Sequence, residues 1–573
     1  MRRLAKFLNG YKKEAVLGPL FKLLEATLEL ITPLIIALVI DRGIAASDKP
    51  YIIKMCLLLI LLGAVGLGFS VCAQYFAAKA SVGFSSKVRY SVFAHLQTLS
   101  YSDIDLLGQS TMITRLTADM SKVQTALNLA LRLLLRSPFV VFGAMIMAFT
   151  IDTRSAISFA AVIPVLAVIV YGIMFITVPM YRRVQGGTDS ILHKTKENLG
   201  GVRVIRAFGR EDRELREFKE QNDSLARVQK RVGYISSLLN PLTFAVINIA
   251  IIALIYTGAI QVNLGELSQG DVVALYNYMS QILIELIKLA NLIVTITKGV
   301  ASAGRLGAIL DTAPSDRVGT VEDFSPAEYA IEVSDASVRY PAASEPSLSG
   351  ISFKARHGDI IGVIGGTGSG KTTLANMIAG FYPAEVGDVR LFGRSVTDYA
   401  KDTLTSKIGI VPQKSVLFSG TLRENMQIGN PSATDDDIYE ALKIAQADGV
   451  VADKGGLDAK VEQGGRNFSG GQRQRLCIAR ALVKKPKILI LDDSSSALDL
   501  ATDARLRHAL KECVKDTTVF IISQRTSSIM HADRIIVLDD GEAVGIGTHN
   551  ELLSSCDVYR EIYDSQFRKE DIV

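Results

Sequence analysis

The sequence predicts a multidomain protein of two unlike halves: an all-α six-helix transmembrane domain, then an α/β domain built around a phosphate-binding loop. Three observations predict it. Apolar residues make up 49% of 573, mean hydropathy is +0.27, and the long apolar stretches all lie in the first half of the chain. Lys and Arg in that half are concentrated in alternate loops. Farther on, a short apolar strand runs into a glycine loop and a helix. The chain is also too long for one hydrophobic core.

The N-terminal residues interleave Leu4, Phe7, Leu8 and Tyr11 with early cations. This predicts an amphipathic helix lying on the membrane surface rather than a cleavable signal peptide. Apolar segments follow at Leu23–Ile40, Tyr51–Ala78, Leu133–Ile151, Ala156–Val178, Leu238–Ile260 and Val272–Thr297. Most reach the roughly 20 residues that cross a bilayer as helix. The third is short between Arg136 and Asp152, so it is expected to extend back through Leu127 with its arginines snorkelling. Cations gather at the N-terminus (Arg2, Arg3, Lys6, Lys12, Lys13), after span two (Lys79, Lys87, Arg89, Arg115, Lys122) and after span four (from Arg182 to Arg210). The opposite loops, "IDTRS" and "QVNLGELSQG", are nearly bare of them. That asymmetry excludes buried helices of a soluble protein and places both termini in the cytoplasm of a multi-pass protein of the cell (inner) membrane.

The two cation-rich loops are too long to be simple connections. Both read as helical extensions of the spans, with Ile104 and Val204–Phe208 at the turning points as expected coupling elements. Glu25, Glu29, Glu285 and Lys288 lie within spans, either lining a cavity or forming structural pairs. The five cysteines are scattered without ligand spacing and read as reduced thiols.

Residues 1–310 thus form the membrane domain, 311–330 a polar linker with Pro and Gly, and 331–573 the second domain. There, "DIIGVIGGTGSGKTTLANMIAG" fits G-x-x-x-x-G-K-[ST] through Gly365, Gly370, Lys371 and Thr372. Loop amides and a helix N-terminus suit phosphate oxygens. Lys371 meets the β/γ-phosphates, and the Thr372 hydroxyl can ligate Mg²⁺. No basic patch with interleaved aromatics points to nucleic acid.

Downstream, "FSGGQRQRLCIARAL" precedes "KILILDDSSSALD". With the phosphate loop, these residues resemble the ATP-binding cassette (ABC) family, and six spans before one cassette resemble its exporter-type half-transporters. The resemblance covers essentially the whole chain. It implies a RecA-like α/β domain with a helical subdomain, with ATP and Mg²⁺ as ligands. By that resemblance, ATP is contacted by Tyr340 (stacking on adenine), by Gly365, Gly366, Thr367, Gly368, Ser369, Gly370, Lys371, Thr372 and Thr373, and, from the opposite cassette, by Ser469, Gly470, Gly471 and Gln472. Thr372, Gln413 and Asp492 are the implied metal contacts. Asp499 matches the loop that crosses to the other cassette.

Departures from the family pattern shape the expected function. Asp493 stands where a glutamate orients or deprotonates the attacking water, and aspartate is one methylene shorter. General-base positioning is worth about 10²–10⁴-fold. Gln524 stands where a histidine meets the γ-phosphate. The loop Val461–Arg466, "VEQGGR", also departs. Asp493, Gln524 and Gln413 are therefore the candidate catalytic set of a site expected to bind MgATP and hydrolyse it weakly, while "FSGGQ" can still serve a partner's ATP. This resembles the degenerate-site subunit of heterodimeric bacterial multidrug exporters. The expected activity is ATP-driven export of amphipathic drugs or lipids with a second half-transporter in the bilayer. A homodimer with two slow sites, an importer on the exporter fold, and an ATP-gated regulatory subunit are the competing readings.

Overall fold

The computed structural model describes residues 2–314, 319–341 and 343–567, so part of the expected 311–330 linker, residues 315–318, lies outside them. The chain divides into two compact units: residues 1–97 with 110–312, and residues 98–109 with 313–573. The second unit thus includes a segment that the contiguous 1–310 boundary assigns to the first.

In the first unit, each apolar segment falls inside one of six helices long and apolar enough to cross a membrane: Lys12–Ile44, Lys49–Leu96, Gln109–Ile151, Thr153–Gly200, Glu211–Asn263 and Gln269–Asp311. At 1.5 Å per residue, a helix of 48 residues is about 72 Å long, more than twice a hydrocarbon core of about 30 Å. The surplus makes up the cation-rich loops as continuous helix. Lys194 ties the second of these hairpins together, pairing with Glu214 at 2.6 Å and Glu217 at 2.8 Å. At its tip, Val202–Ala207 is a short helix, and Val204 and Phe208 are exposed.

Two expectations are corrected here. The N-terminal segment is not one amphipathic helix. It forms the turns Arg2–Ala5 and Lys6–Leu8, breaks at Gly10, whose φ of 101° suits a residue without Cβ, and buries Leu4. Arg136 does not snorkel either. It is buried between Glu29 and Glu285, which come from two other helices. Its own helix is interrupted at Leu134–Leu135, because Pro138 has no N–H to offer the Leu134 carbonyl.

The second unit holds a six-stranded sheet in the order Glu542–Gly547, Arg534–Asp539, Ile360–Gly365, Thr518–Ile522, Ile488–Asp492, Ile408–Val411. All neighbours are parallel except the first pair. Ile488–Asp492 and Thr518–Ile522 are buried throughout, which is why they read as unbroken apolar runs rather than alternating ones. A four-stranded antiparallel sheet, containing Tyr329–Val338 and Leu348–Arg356, packs beside it. The helices Leu422–Gln427, Asp435–Ile444, Asp448–Asp453 and Gly470–Leu482 build a subdomain around Leu422, Leu442 and Leu476. Segment 98–109 joins this unit because Tyr101 stacks on Phe381 at 4.3 Å and the Tyr382 hydroxyl donates to Asp105.

Candidate nucleotide site

The carboxyl ends of the parallel strands bring the predicted residues together, as open α/β sheets do. Ile360–Gly365 leads into the glycine loop, Ile488–Asp492 ends on Asp492, Ile408–Val411 runs to Gln413, and Thr518–Ile522 leads to Gln524.

The glycine loop is a cradle by steric necessity. Gly370 has φ 95°, and a Cβ there would lie 2.9 Å from the Ser347 carbonyl. By contrast, a Cβ on Gly366 would meet nothing within 4 Å, so that side of the loop is open to a ligand. The Lys371 ammonium folds back on its own loop, donating to the Gly365 carbonyl at 2.9 Å, to the Gly366 carbonyl, and to the Ser369 hydroxyl at 3.3 Å. Burial pushes its pKa below the usual lysine value, against the pull of Asp492 and Asp493. Asp492 is buried beside it. Burial raises its carboxyl, as does Asp493, while the Thr372 hydroxyl and Lys371 oppose the rise.

An ammonium and a carboxylate shifted toward their neutral forms at one spot mark a site short of countercharge. Phosphate oxygens would supply it to Lys371, and a divalent cation to Asp492. The donor set of one hydroxyl, one carboxylate and one amide oxygen suits a hard cation that keeps much of its water. The residues therefore fit Mg²⁺, with Thr372, Asp492 and Gln413 as its holders. Bound there, Mg²⁺ would supply neutralisation of phosphate charge.

Asp493 has φ 47°, in the left-handed region. Its backbone N–H donates to the Ile522 carbonyl at 2.9 Å, and the Gln474 amide donates to its carbonyl at 3.1 Å. Gln413 Nε2 reaches its carboxylate at 3.4 Å, a long contact. Gln413 and Asp493 thus face each other at the cation end of the loop. Tyr340 lies to one side, half-buried, edge-on to Tyr382 at 4.7 Å, with its hydroxyl 3.3 Å from that of Thr373.

The signature residues stand apart. Ser469 caps the helix Gly470–Leu482, accepting from the Gln472 N–H at 3.3 Å, and the Gln472 side chain closes the capping box. Gly471 is held bare by its own chain, since a Cβ there would sit 2.8 Å from the Ala497 carbonyl. No hydrogen bond among the described residues joins Ser469 or Gly471 to Lys371, Thr372 or Asp492. A cleft of about 960 Å³ lies between Gln413, Phe418, Arg466, Gly470, Gln474 and Ala497. Asp499 uses its carboxylate to cap Leu500–Cys513 through the Thr502 N–H at 2.9 Å.

Three residues of this region escape sequence reasoning. Gln474 holds the Asp493 carbonyl. Arg525 donates to the Ser496 carbonyl at 3.2 Å and the Leu498 carbonyl at 3.3 Å, tying the strand end beside Gln524 to the "SALD" segment. Gln566, on the last described helix, donates to the Gln524 carbonyl and accepts from the Thr526 N–H, both at 2.8 Å. The Gln524 side chain itself is exposed.

The family pattern described as ABC transporter transmembrane region matches residues 16–286, and that described as ABC transporter matches 348–496. An uncharacterised ABC transporter ATP-binding protein of Bacillus subtilis, YfiB, is 34% identical over 100% of this chain and 99% of its own length. One of Mycobacterium tuberculosis is 33% identical over 98% and 97%. An ATP-dependent lipid A-core flippase of Vibrio vulnificus is 27% identical over 99% and 97%. Among solved structures, a bacterial Atm1-family ABC exporter with ATP bound superposes with a TM-score of 0.80 at 22% identity, covering 97% of this chain and 98% of that one.

Proposed function

This chain belongs to the ABC transporter family, as a multi-pass membrane protein with an ATP-hydrolysing domain, and we propose that it is the weakly hydrolysing half of a heterodimeric exporter of amphipathic small molecules. Its glycine loop binds MgATP through Lys371, Thr372 and Asp492, with Tyr340 against adenine. Its signature helix serves the ATP of a second half-transporter.

The observation that carries this reading is Asp493. Its backbone is pinned on both sides by Ile522 and Gln474, so the short side chain has little freedom to advance toward an attacking water. Gln524, on the neighbouring strand end, carries no charge to offer a γ-phosphate. The Ser469 hydroxyl and the start of Gly470–Leu482 meanwhile make no hydrogen bond to Lys371, Thr372 or Asp492 among the described residues, which leaves them for the ATP of a second cassette. The exposed Val204 and Phe208 offer an apolar surface for such a partner. Similarity to lipid A-core flippases supports a lipid-like substrate.

The test isolates the chain with its native partner and compares two substitutions. Ser469→Ala removes a hydrogen bond to a charged γ-phosphate, worth about 1.5–3 kcal/mol, so hydrolysis falls about 10- to 100-fold. Asp493→Asn is expected to cost far less. Equal losses would make Asp493 a working base. Recovery of the chain as a homodimer turning over at about the median enzyme rate of 10 s⁻¹ would end the heterodimer reading.

A further inference from the structure

The membrane unit contains a cluster of ionisable side chains that the nucleotide chemistry does not use. Arg136, 6% exposed, donates from Nη1 to Glu285 and from Nη2 to Glu29. Ser137 donates to the other Glu285 oxygen at 2.8 Å, and Lys288 pairs with Glu285 at 2.9 Å. Three helices contribute: Lys12–Ile44, Arg136–Ile151 and Gln269–Asp311. The far ends of the first and third of these meet where the Ser268 hydroxyl donates to Asp41 at 2.6 Å. Counted from Asp41, Ile151 and Ser268 at 1.5 Å per residue, Glu29, Arg136 and Glu285 lie about 18, 22 and 25 Å along their helices. All three lie within the apolar stretches Leu23–Ile40, Leu133–Ile151 and Val272–Thr297, inside helices long and apolar enough to cross a membrane.

Two observations separate it from a closed structural network. Arg136 Nε is buried without a hydrogen-bond partner among the described residues, and so is Gln281 Oε1, one helical turn from Glu285 on the same face. The cluster is also open at two places of opposite sign. The Glu29 side chain is 41% exposed and that of Lys288 46%, against 3% for Glu285. Charges within a membrane span face water or a polar ligand rather than acyl chains, because the alternative is too costly.

We propose that this cluster recognises the headgroup of a zwitterionic amphiphile, an inference that rests on the transport reading above and names its substrate class. The headgroup ammonium pairs with Glu29 and its phosphate or carboxylate with Lys288, while Arg136 Nε–H and Gln281 Oε1 take one hydrogen bond each. Charge balance selects the class. Arg136 and Lys288 cancel Glu29 and Glu285, and the neighbouring Lys22–Glu25 pair is already closed at 2.7 Å. A singly charged headgroup would leave one uncompensated charge in a low dielectric, whereas a zwitterion leaves none.

The experiment measures equilibrium binding to the full chain in non-ionic detergent, without nucleotide. Three radiolabelled probes share one chain length: a lysophosphatidylethanolamine, an alkyl phosphate and an alkylammonium. The wild type is expected to bind the zwitterion about tenfold or more tightly than either other probe. Glu29→Gln, which leaves a cation in excess, should shift preference to the alkyl phosphate. Lys288→Gln should shift it to the alkylammonium. Glu29→Asp, keeping the charge, should retain the zwitterion preference and shows that the site tolerates substitution. Equal affinity for the three probes, or an unchanged order in both charge variants, overturns the proposal. A reconstituted pair that binds the zwitterion but, supplied with MgATP, never transports it overturns the transport reading alone. Transport without headgroup preference overturns this inference alone.

Discussion

Asp493 combines an unusual backbone with an unusual side chain. The left-handed region disfavours most L-residues, and aspartate is among the few that tolerate it. Asp493→Glu adds about 1.5 Å of reach. ATP turnover by the purified chain is expected to rise about tenfold or more if reach limits catalysis, short of the 10²–10⁴-fold span of general-base effects. A colourimetric phosphate assay showing no rise would move the limitation to Gln524. Asp492 yields a prediction in pH. Burial raises its folded-state pKa, so protonation favours the folded, nucleotide-free domain and that advantage is lost as pH rises through the raised value. Metal binding needs the ionised form and runs the other way. Affinity for MgATP should therefore weaken on acidification from a pH above the ordinary carboxylate midpoint of about 4, while thermal stability without nucleotide rises. Asp492→Asn should flatten both trends, read by fluorescent-nucleotide titration and by melting curves. The glycine loop between strand and helix, the buried strand ending on Asp492 and the helix opening at the signature were legible in the sequence because each is a local pattern of apolar run, glycine and cap. Gln566 was not. It reaches backbone groups around Gln524 from 42 residues away, and a side chain bonding to carbonyls and amides leaves no periodic trace.

At the scale of elements, the spans were legible for the reason that makes them spans: a helix in hydrocarbon must be apolar over its whole crossing length. What hydropathy cannot report is the partner of a charge. Arg136 reads as a snorkelling residue when only its own helix is considered, and becomes a buried counter-ion once Glu29 and Glu285 arrive from elsewhere. The break at Leu134–Leu135 places it there. Breaking a buried ion pair from one side costs about 3–5 kcal/mol, and replacing both partners by apolar groups costs much less. Glu285→Gln is therefore expected to destabilise the membrane unit by about that amount, and Arg136→Met with Glu285→Leu to recover most of it, measured by denaturation in micelles. Additive losses would show that the two side chains act independently.

Across the whole molecule, the two units follow the change in composition along the chain, with one exception that composition could not announce. Residues 98–109 sit between two spans in sequence yet belong to the nucleotide-binding unit. Ile104 marked this turn as a coupling element, but Tyr101 and Asp105 supply the contacts with Phe381 and Tyr382. Replacing Tyr101 by Ala together with Asp105 by Ala should reduce ATP-driven substrate uptake into vesicles by about fivefold or more, the scale of a modest coupling energy. Nucleotide binding should stay within about twofold, since neither residue touches the glycine loop. If uptake persists, the segment holds position without transmitting motion.

The same attachment sets an order of events during synthesis. Asp105 leaves the ribosome 277 residues before Tyr382. At about 5–20 residues per second, that is a wait of about 15–55 s for a partner that does not yet exist. During it the segment's own capping box, Ser100 with Asp103, helps hold Tyr101–Leu107 as helix. A segment made early is thus among the last to find its place in its own unit, and does so only after most of the chain has been made.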